Sequence, residues 1–247
     1  FFTSSLSDSA RKYLASRGID DKTIQRYSIG YAPSGKQMQE YLESKNISLS
    51  LMHKAGLIGK GENDEIYSVF RNRVIFPIKN IYGKIIAFGG RILGEGMPKY
   101  LNSPENIAFK KSETLYGEDV ATSAAYKSKK VIVVEGYMDV IAMHNAGFTE
   151  TVATLGTAVT ANHLSKLWRI ADEIIFCLDG DIAGQKAMQK AIVLLLQNIK
   201  PQNKASFVIL PDKLDPDELV KKFGREAMEQ LLEQRLPTSG MIWHLET

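Results

Sequence analysis

The chain has 247 residues, of which 44% are hydrophobic and 24% are charged, a composition typical of a folded globular protein. Its single cysteine, Cys177, excludes a disulfide framework and a thiolate zinc cluster. The four histidines are scattered without metal-ligand spacing, and no apolar run approaches the roughly 20 residues that span a bilayer. We therefore expect a protein of a reducing, cytoplasmic compartment that does not enter a membrane.

The net charge of +3 conceals an uneven distribution. Residues 1–130 hold 20 lysines and arginines against 13 acids, whereas residues 131–247 hold 11 against 15. A basic half followed by an acidic half indicates that the two halves bind different partners. The chain begins with Phe1 rather than methionine, so we expect it to be a piece of a longer protein.

The start of the chain favours short helices, over residues 5–60. Helix caps are expected at Ser7 and Asp20, and Ser34 or Gly35 is expected to open a third helix. The side-chain oxygens of serine and aspartate accept hydrogen bonds from the first free N–H groups of a helix.

A β-rich region follows over residues 66–93, with a turn predicted at 80–83. Residues 94–117 are rich in Gly, Pro and Asn and predict an ordered loop, and 117–127 predict a helix.

From Lys129 onward, apolar strands alternate with helices. This alternation is typical of a parallel sheet with helices on both faces. The predicted strands are 131–134, 151–155, 173–178 and 205–210. One predicted helix ends near Asn145. The others cover 160–171, 182–198, the DPDELVKKF segment and 225–235.

Acidic residues follow three of these strands. In an open parallel sheet, ligands bind beyond the carboxyl ends of the strands, so we expect these acids to lie close together. The six acids are Glu135 and Asp139 after the first strand, Asp179 and Asp181 after the third, and Asp215 and Asp217 after the fourth.

Such a cluster without local cations would repel itself, and a bound cation would relieve the repulsion. At about 4 Å, two like charges cost roughly 4 kcal/mol at an effective dielectric constant near 20. Oxygen ligands without His or Cys favour Mg²⁺ or Mn²⁺ over zinc. Taken singly, DGD or DPD is most often a turn or a helix cap, and Asp139 alone is explained by the helix dipole.

Several segments together resemble a known family. A Toprim domain is indicated by VIVVEGYMDV (131–140), TLGTA (154–158), FCLDGDIAGQKA (176–187) and DPDE (215–218). The catalytic core of the bacterial replicative primase, of the DnaG type, is indicated by FRNRVIFPI (70–78), FGGRIL (88–93), PKYLNSPE (98–105) and LYG (115–117). The resemblance runs in order over nearly all of the chain.

The resemblance implies an α/β fold in three parts. These are a basic, mixed α+β N-terminal subdomain (1–128), a Toprim parallel sheet with helices on both faces (129–211), and a DPD segment that begins a partial helical subdomain (212–247). The zinc-binding module and the helicase-binding region of the whole family protein are not in this chain, so zinc is not expected here.

The resemblance also implies roles for individual residues. Two or more Mg²⁺ or Mn²⁺ ions are expected on the main catalytic acids Glu135, Asp179 and Asp181, with support from Asp139, Asp215 and Asp217. Nucleic acid or nucleotide binding is expected at Arg71, Arg73, Arg91, Lys99, Tyr100, Lys110 and Lys111.

The residues themselves support a basic surface beside the acids. Arg71 and Arg73 are two apart on a predicted strand and are therefore expected to point to the same face. Cations of this kind hold a phosphate backbone without reading its sequence, and Tyr82 and Tyr100 are candidates for stacking on bases.

The function implied is a DNA-directed RNA polymerase that makes short primers on single-stranded DNA from NTPs, at the bacterial replication fork. Helicase and single-strand-binding protein would be partners through regions outside this chain. Two alternatives remain: a Toprim nuclease or topoisomerase-like strand-cleaving enzyme, and a binding module whose acids are only structural.

Overall fold

The structure, a computed structural model, describes residues 7–211 and 213–246. Residues 5 and 6 of the predicted helical region lie outside this range. The chain divides into two compact units, one formed by the residues up to Lys79 with Lys84–Lys110, the other by Asn80–Gly83 with the residues from Lys111 onward. Across the described residues, no helix combines the length and apolar composition that crossing a membrane requires.

The helices of the first unit are short and begin close to the predicted positions. Asp20 caps the second of them, because its carboxylate accepts a hydrogen bond from the Thr23 N–H at 2.8 Å. Ser7 directly precedes α1, as predicted, but its hydroxyl accepts a hydrogen bond from Arg11 Nε and makes no capping bond to a helix N–H. The described helices are α1 (Asp8–Ser16), α2 (Asp21–Tyr27), α3 (Gln37–Ser44) and α4 (Leu49–Lys54).

The strands of the first unit form an antiparallel sheet in the order β1-β4-β5-β6 and a separate β2-β3 pair. These are β1 (Gly30–Ala32), β2 (Ile58–Lys60), β3 (Ile66–Ser68), β4 (Arg73–Lys79), β5 (Ile85–Ile92) and β6 (Tyr100–Asn102). The predicted turn is confirmed, because the Gly83 N–H donates to the Asn80 carbonyl at 2.9 Å. The predicted loop over 94–117 is wrong in part: β6 lies within it and pairs with β5.

The strands of the second unit form one sheet in the order β12-β11-β10-β8-β9-β7. Its four central strands are parallel, as predicted, whereas the two edge strands are antiparallel and were not foreseen. The strands are β7 (Leu115–Tyr116), β8 (Lys130–Val134), β9 (Thr151–Thr154), β10 (Glu173–Phe176), β11 (Lys204–Phe207) and β12 (Leu236–Pro237).

Helices cover both faces of this sheet. Consecutive residues of a strand point to opposite faces, and Val131, Ile132, Val133 and Val134 are all buried, so neither face is open to solvent. The helices are α5 (Glu118–Ser128), α6 (Tyr137–Asn145), α7 (Ala161–Ile170), α8 (Ile182–Asn198), α9 (Pro216–Glu233) and α10 (Thr238–Glu246).

Helix α9 is kinked at Gly224, where φ is 82°. The sequence predicted two helical segments here, and the left-handed backbone that glycine adopts without strain is the physical reason for the break between them.

Candidate functional site

Two of the predicted acids meet where neighbouring parallel strands end. Glu135 directly follows β8, and Asp179 follows β10 after two further buried residues. The Asp179 N–H donates a hydrogen bond to Glu135 Oε1 at 3.2 Å. The two strand ends are therefore joined through a side chain that is also a candidate metal ligand.

Glycines allow the DGD segment to pack tightly between its neighbours. A Cβ atom on Gly180 would collide with the carbonyl oxygen of Pro211, and one on Gly184 would collide with the backbone of Asp179. Both positions therefore require glycine as the backbone stands, which holds Asp179 close to the start of α8.

Asp181 and Asp215 are helix caps. Asp181 Oδ1 accepts from the Gly184 N–H at 2.8 Å at the start of α8, and Asp215 Oδ1 accepts from the Glu218 N–H at 2.6 Å at the start of α9. A cap uses one carboxylate oxygen, so the second oxygen of each remains suited to another ligand. The capping and the metal-binding interpretations are thus compatible.

Asp139 is 7% exposed and lies in the first turn of α6. It accepts hydrogen bonds from the N–H groups of Gly136 at 3.0 Å and Asp217 at 3.3 Å, so it connects α6 with α9. Burial, followed by the charges of Asp215 and Asp179, raises the pKa of Asp139 well above its ordinary value.

Asp217 is 1% exposed and forms an ion pair with Lys221 one helical turn away. Lys221 Nζ lies 2.6 Å from Oδ1 and 2.7 Å from Oδ2 of Asp217. The expectation of acids without a local cation is therefore wrong for Asp217. The i,i+4 spacing of Asp217 and Lys221 on a helix was the sequence signal that would have revealed this pair.

Asp179 has the strongest signature of a ligand site in the cluster. Its Oδ1 is buried and has no hydrogen-bond partner within the described part of the chain. Burial, then the charges of Glu135, Asp215 and Asp181, raise the pKa of Asp179 to about 7. Burial, together with the charge of Asp181, also raises the pKa of Glu135. Both shifts mean that burial and neighbouring acids make the ionised form of these carboxylates unfavourable.

These residues fit a divalent ion in their chemistry. The donors are carboxylate oxygens, and the unpartnered Asp179 Oδ1 is the kind of buried atom that a cation would satisfy. In the described residues, no three or more acidic, histidine or cysteine side chains are grouped so that they could hold a metal ion between them. Mg²⁺ commonly keeps several waters and uses one or two carboxylates with substrate phosphates, so such a group is not required.

A cleft of about 640 Å³ opens beside Asp181. The start of α8 forms one wall, and Lys186 and Lys213 contribute positive charge to its lining. The cleft therefore gives an anionic ligand access to this acid.

In the first unit, Arg71 and Arg73 do not share a face, contrary to expectation. Arg73 is 5% exposed and donates to the carbonyls of Gly90, Pro98 and Lys99 at 2.9–3.3 Å. Arg71 precedes β4 and is exposed, with its guanidinium 5.8 Å from the centre of the Tyr67 ring. Alternate side chains share a face only within a strand. Because β4 begins at Arg73, Arg71 lies outside the strand, and the rule does not apply to this pair.

The remaining predicted basic residues of this unit lie on or near β5 and β6. Arg91 on β5 pairs in register with Tyr100 on β6, and its guanidinium lies 4.1 Å from the centre of the Tyr13 ring. Tyr100 is 40% exposed, and Lys99 beside it is also exposed. The β5–β6 pairing thus brings Arg91, Lys99 and Tyr100 together, while Arg73 holds the backbone that precedes them.

The last two predicted cations lie where the chain passes from the first unit to the second. Lys110 is exposed at the end of the first unit, and Lys111 is half-buried at the start of the second. Next to Lys111, the Ser112 carbonyl accepts a hydrogen bond from Thr160 Oγ1 at 2.6 Å, so the cap of α7 anchors this segment. Sequence reasoning did not identify that anchor.

Comparison with known proteins agrees with this architecture. Residues 1–122 match the DNA primase catalytic core, N-terminal domain, and residues 129–208 match the Toprim domain. A DNA primase of Rickettsia conorii is 54% identical over 246 residues, which are 100% of this chain and 41% of that protein. The chain therefore spans about two fifths of the length of this curated relative.

Solved structures show the same likeness. A DNA primase domain from Pseudomonas aeruginosa has a TM-score of 0.94 and 38% identity, and the match covers 99% of this chain and 77% of that one. A DnaG primase catalytic domain bound to ssDNA has a TM-score of 0.89 and 39% identity, covering 98% and 76%.

The sheet of the second unit, with acids at its strand ends, is that of a Toprim domain. The whole chain belongs to the DNA primase family, in the part that forms the catalytic core. Toprim primases are generally metal-dependent, and the strand-cleaving alternative is not favoured by these matches.

Proposed function

We propose that this chain is the catalytic core of a DNA-directed RNA polymerase that synthesises short primers on a single-stranded DNA template. The observation that carries the proposal is the buried Asp179 Oδ1 beside Glu135, which has no hydrogen-bond partner among the described residues, in a chain related to DNA primases along its length. The three-part division at residues 128 and 211 remains part of this proposal.

Glu135, Asp179 and Asp181 would hold Mg²⁺ or Mn²⁺, two ions or more, with Asp139, Asp215 and Asp217 in supporting positions. When bound, such ions stabilise negative charge on the triphosphate and favour ionisation of the primer 3′-hydroxyl. The protein contributes geometry: the Asp179–Glu135 hydrogen bond fixes one pair of acids, and the caps of α8 and α9 orient Asp181 and Asp215.

The reaction is a nucleotidyl transfer. The 3′-oxygen of the growing primer attacks the α-phosphorus of the incoming NTP, and the bond from that phosphorus to the oxygen bridging the α- and β-phosphates breaks. Pyrophosphate leaves with the electron pair of that bond, and the hydroxyl proton passes to solvent. The cleft beside Asp181, with Lys186 and Lys213 in its lining, offers space and positive charge for phosphate groups.

Cations of the first unit, with Lys110 and Lys111, would hold the template backbone. Binding of ssDNA by a related DnaG catalytic domain supports this assignment. Arg71, Arg91 and Lys99 are the candidates for phosphate contacts, and Tyr100 is the candidate for base stacking, worth about 1–3 kcal/mol per base. We assign Arg73 a positioning role, because its donors are directed at backbone carbonyls. Helicase and single-strand-binding protein would be reached through other regions of the whole protein.

Replacement of the central acids tests the metal assignment. Glu135→Gln and Asp179→Asn should each abolish primer synthesis while leaving the circular dichroism spectrum unchanged. Glu233→Gln, which alters an exposed acid near the end of α9, is the matched control and should keep normal synthesis. Normal primer yield from either central variant would refute the assignment.

A single incubation separates polymerase from strand-cleaving enzyme. The protein is mixed with Mn²⁺ and labelled single-stranded DNA, with and without NTPs. RNA products that appear only with NTPs support the proposal, whereas shortened DNA in the absence of NTPs contradicts it.

A further inference from the structure

The ion pair between Asp217 and Lys221 has a specific place in the acid cluster. Both oxygens of Asp217 lie within hydrogen-bond distance of Lys221 Nζ, at 2.6 and 2.7 Å. The Asp217 side chain is 2% exposed, whereas that of Lys221 is 35% exposed. The lysine thus reaches inward from the protein surface to a carboxylate that solvent barely contacts.

The backbone of Asp217 also takes part in the cluster. Its N–H donates to Asp139 Oδ1 at 3.3 Å, and the other oxygen of Asp139 accepts from the Gly136 N–H. Pro216 occupies the first turn of α9, where its fixed φ suits the start of a helix. Asp217 is therefore held through its side chain by Lys221 and through its backbone N–H by Asp139.

This arrangement divides the acids into two groups. Within the described residues, the buried Asp179 Oδ1 has no hydrogen-bond partner, and Glu135 Oε1 accepts only the Asp179 N–H. Asp217, in contrast, already has a cation at contact distance from both oxygens. A divalent ion on Asp217 would have to displace the Lys221 ammonium.

We propose that Lys221 is a positioning residue that keeps the Asp217 carboxylate as an ion pair and so confines divalent metal ions to Glu135, Asp179 and Asp181. The inference rests on the proposed metal site of the polymerase and limits it, since Asp217 then supports the site without binding an ion. Lys221 acts through Asp217 and touches no reacting atom.

Mn²⁺ titration by calorimetry, without nucleotide, tests this role. The variants are Lys221→Gln, Asp217→Asn and the double variant, with Lys222→Gln as the control of equal charge. Lys222 is the adjacent residue, and its ammonium lies 5.3 Å from the centre of the Phe223 ring. Thermal melts establish that each variant is folded under the titration conditions.

The two single variants are expected to change the Mn²⁺ affinity in opposite directions. Lys221→Gln leaves an unpaired acid near the site and should tighten Mn²⁺ binding about fourfold, the effect of a unit charge on a divalent ion roughly 10 Å away in water. Asp217→Asn leaves an unpaired lysine and should weaken binding by about the same factor. The double variant removes both charges and should bind within about threefold of the original chain.

If the double variant bound Mn²⁺ more than about threefold more weakly than the original chain, Asp217 would itself be a ligand, and the inference would be overturned. The inference would also be overturned if Lys221→Gln bound Mn²⁺ with the same affinity as Lys222→Gln, or more weakly than the original chain. Should the double variant not fold, Lys221→Gln against Lys222→Gln decides the question alone. Mn²⁺ binding that Asp179→Asn does not weaken would instead overturn the proposed metal site, and this inference with it.

Discussion

The Asp179 N–H donates a hydrogen bond to Glu135 Oε1 at 3.2 Å. This bond joins the ends of β8 and β10, which are neighbours in the parallel sheet. It directs one oxygen of Glu135 to the backbone of Asp179, while burial, followed by the charge of Glu135, raises the pKa of the Asp179 carboxyl. The contact thus fixes the relative positions of two of the candidate metal-binding acids.

Mn²⁺ binding should depend on pH in the neutral range. Because the pKa of Asp179 is raised to about 7, part of the protein carries a proton there at neutral pH, and a metal ion must displace it. We expect affinity to increase from about pH 6 to about pH 8, with proton release on binding at the lower pH. Calorimetry in buffers of different ionisation enthalpy measures this release. Constant affinity across the range would contradict a role for Asp179 as a ligand.

Asp179→Asn should stabilise the metal-free protein at alkaline pH. The pKa of Asp179 rises from 3.8 to about 7 on folding, so between these values the folded state binds more protons and stability falls as pH increases. An uncharged amide avoids this loss. Thermal melts should show the variant and the original chain alike near pH 4 and the variant higher at pH 8, where each kcal/mol corresponds to roughly 2–4 °C. A lower melting temperature at pH 8 would refute this expectation.

Arg73→Met should reduce stability by about 2–4 kcal/mol, because it removes a buried guanidinium that donates to three backbone carbonyls. The matched change Arg71→Met removes an exposed guanidinium and should cost less than about 1 kcal/mol. Urea denaturation of both variants makes the comparison. Equal losses would contradict the positioning role of Arg73.

Gly184→Ala should disturb the DGD segment, since the added Cβ collides with the backbone of Asp179. We expect a loss of about 1–3 kcal/mol and weaker Mn²⁺ binding, because the backbone must shift at a candidate ligand. Gly30→Ala is the control, as the nearest atom to its added Cβ is Ile75 Cβ at 3.9 Å, an ordinary contact. Unchanged metal affinity in Gly184→Ala would show that Asp179 tolerates the shift.

Lys111→Ala should weaken binding to single-stranded DNA and reduce its salt dependence. Each phosphate contact releases counterions, so the loss of one contact lowers the slope of log affinity against log salt by about 0.7 for a single strand. Lys127→Ala, at an exposed position near the end of α5, should leave the slope unchanged. Fluorescence anisotropy at several salt concentrations measures both variants, and an unaltered slope in Lys111→Ala would remove this residue from the template surface.

Much of the second unit could be read from local patterns. Apolar strands and helix caps are encoded within a few residues, so the acids after β8, β10 and β11 were predicted at the edge where the structure has them. The edge strands β7 and β12 were missed, because two-residue strands carry no periodic signal and exist only through their partners. The β5–β6 pairing was missed because β6 has only three residues and lies in a segment whose composition indicates a loop.

The sequence by itself determined which acids follow which strands, because strand and cap signals are local, and its motifs determined the resemblance to primases. Only the tertiary structure decided how deeply each of these side chains is buried and which groups it contacts. Among the described residues, the buried Asp179 Oδ1 has no hydrogen-bond partner, the Arg73 guanidinium donates to three backbone carbonyls, and the Asp217 side chain is almost completely excluded from solvent. Desolvation and hydrogen bonding depend on segments far apart in the chain, so no local pattern specifies them.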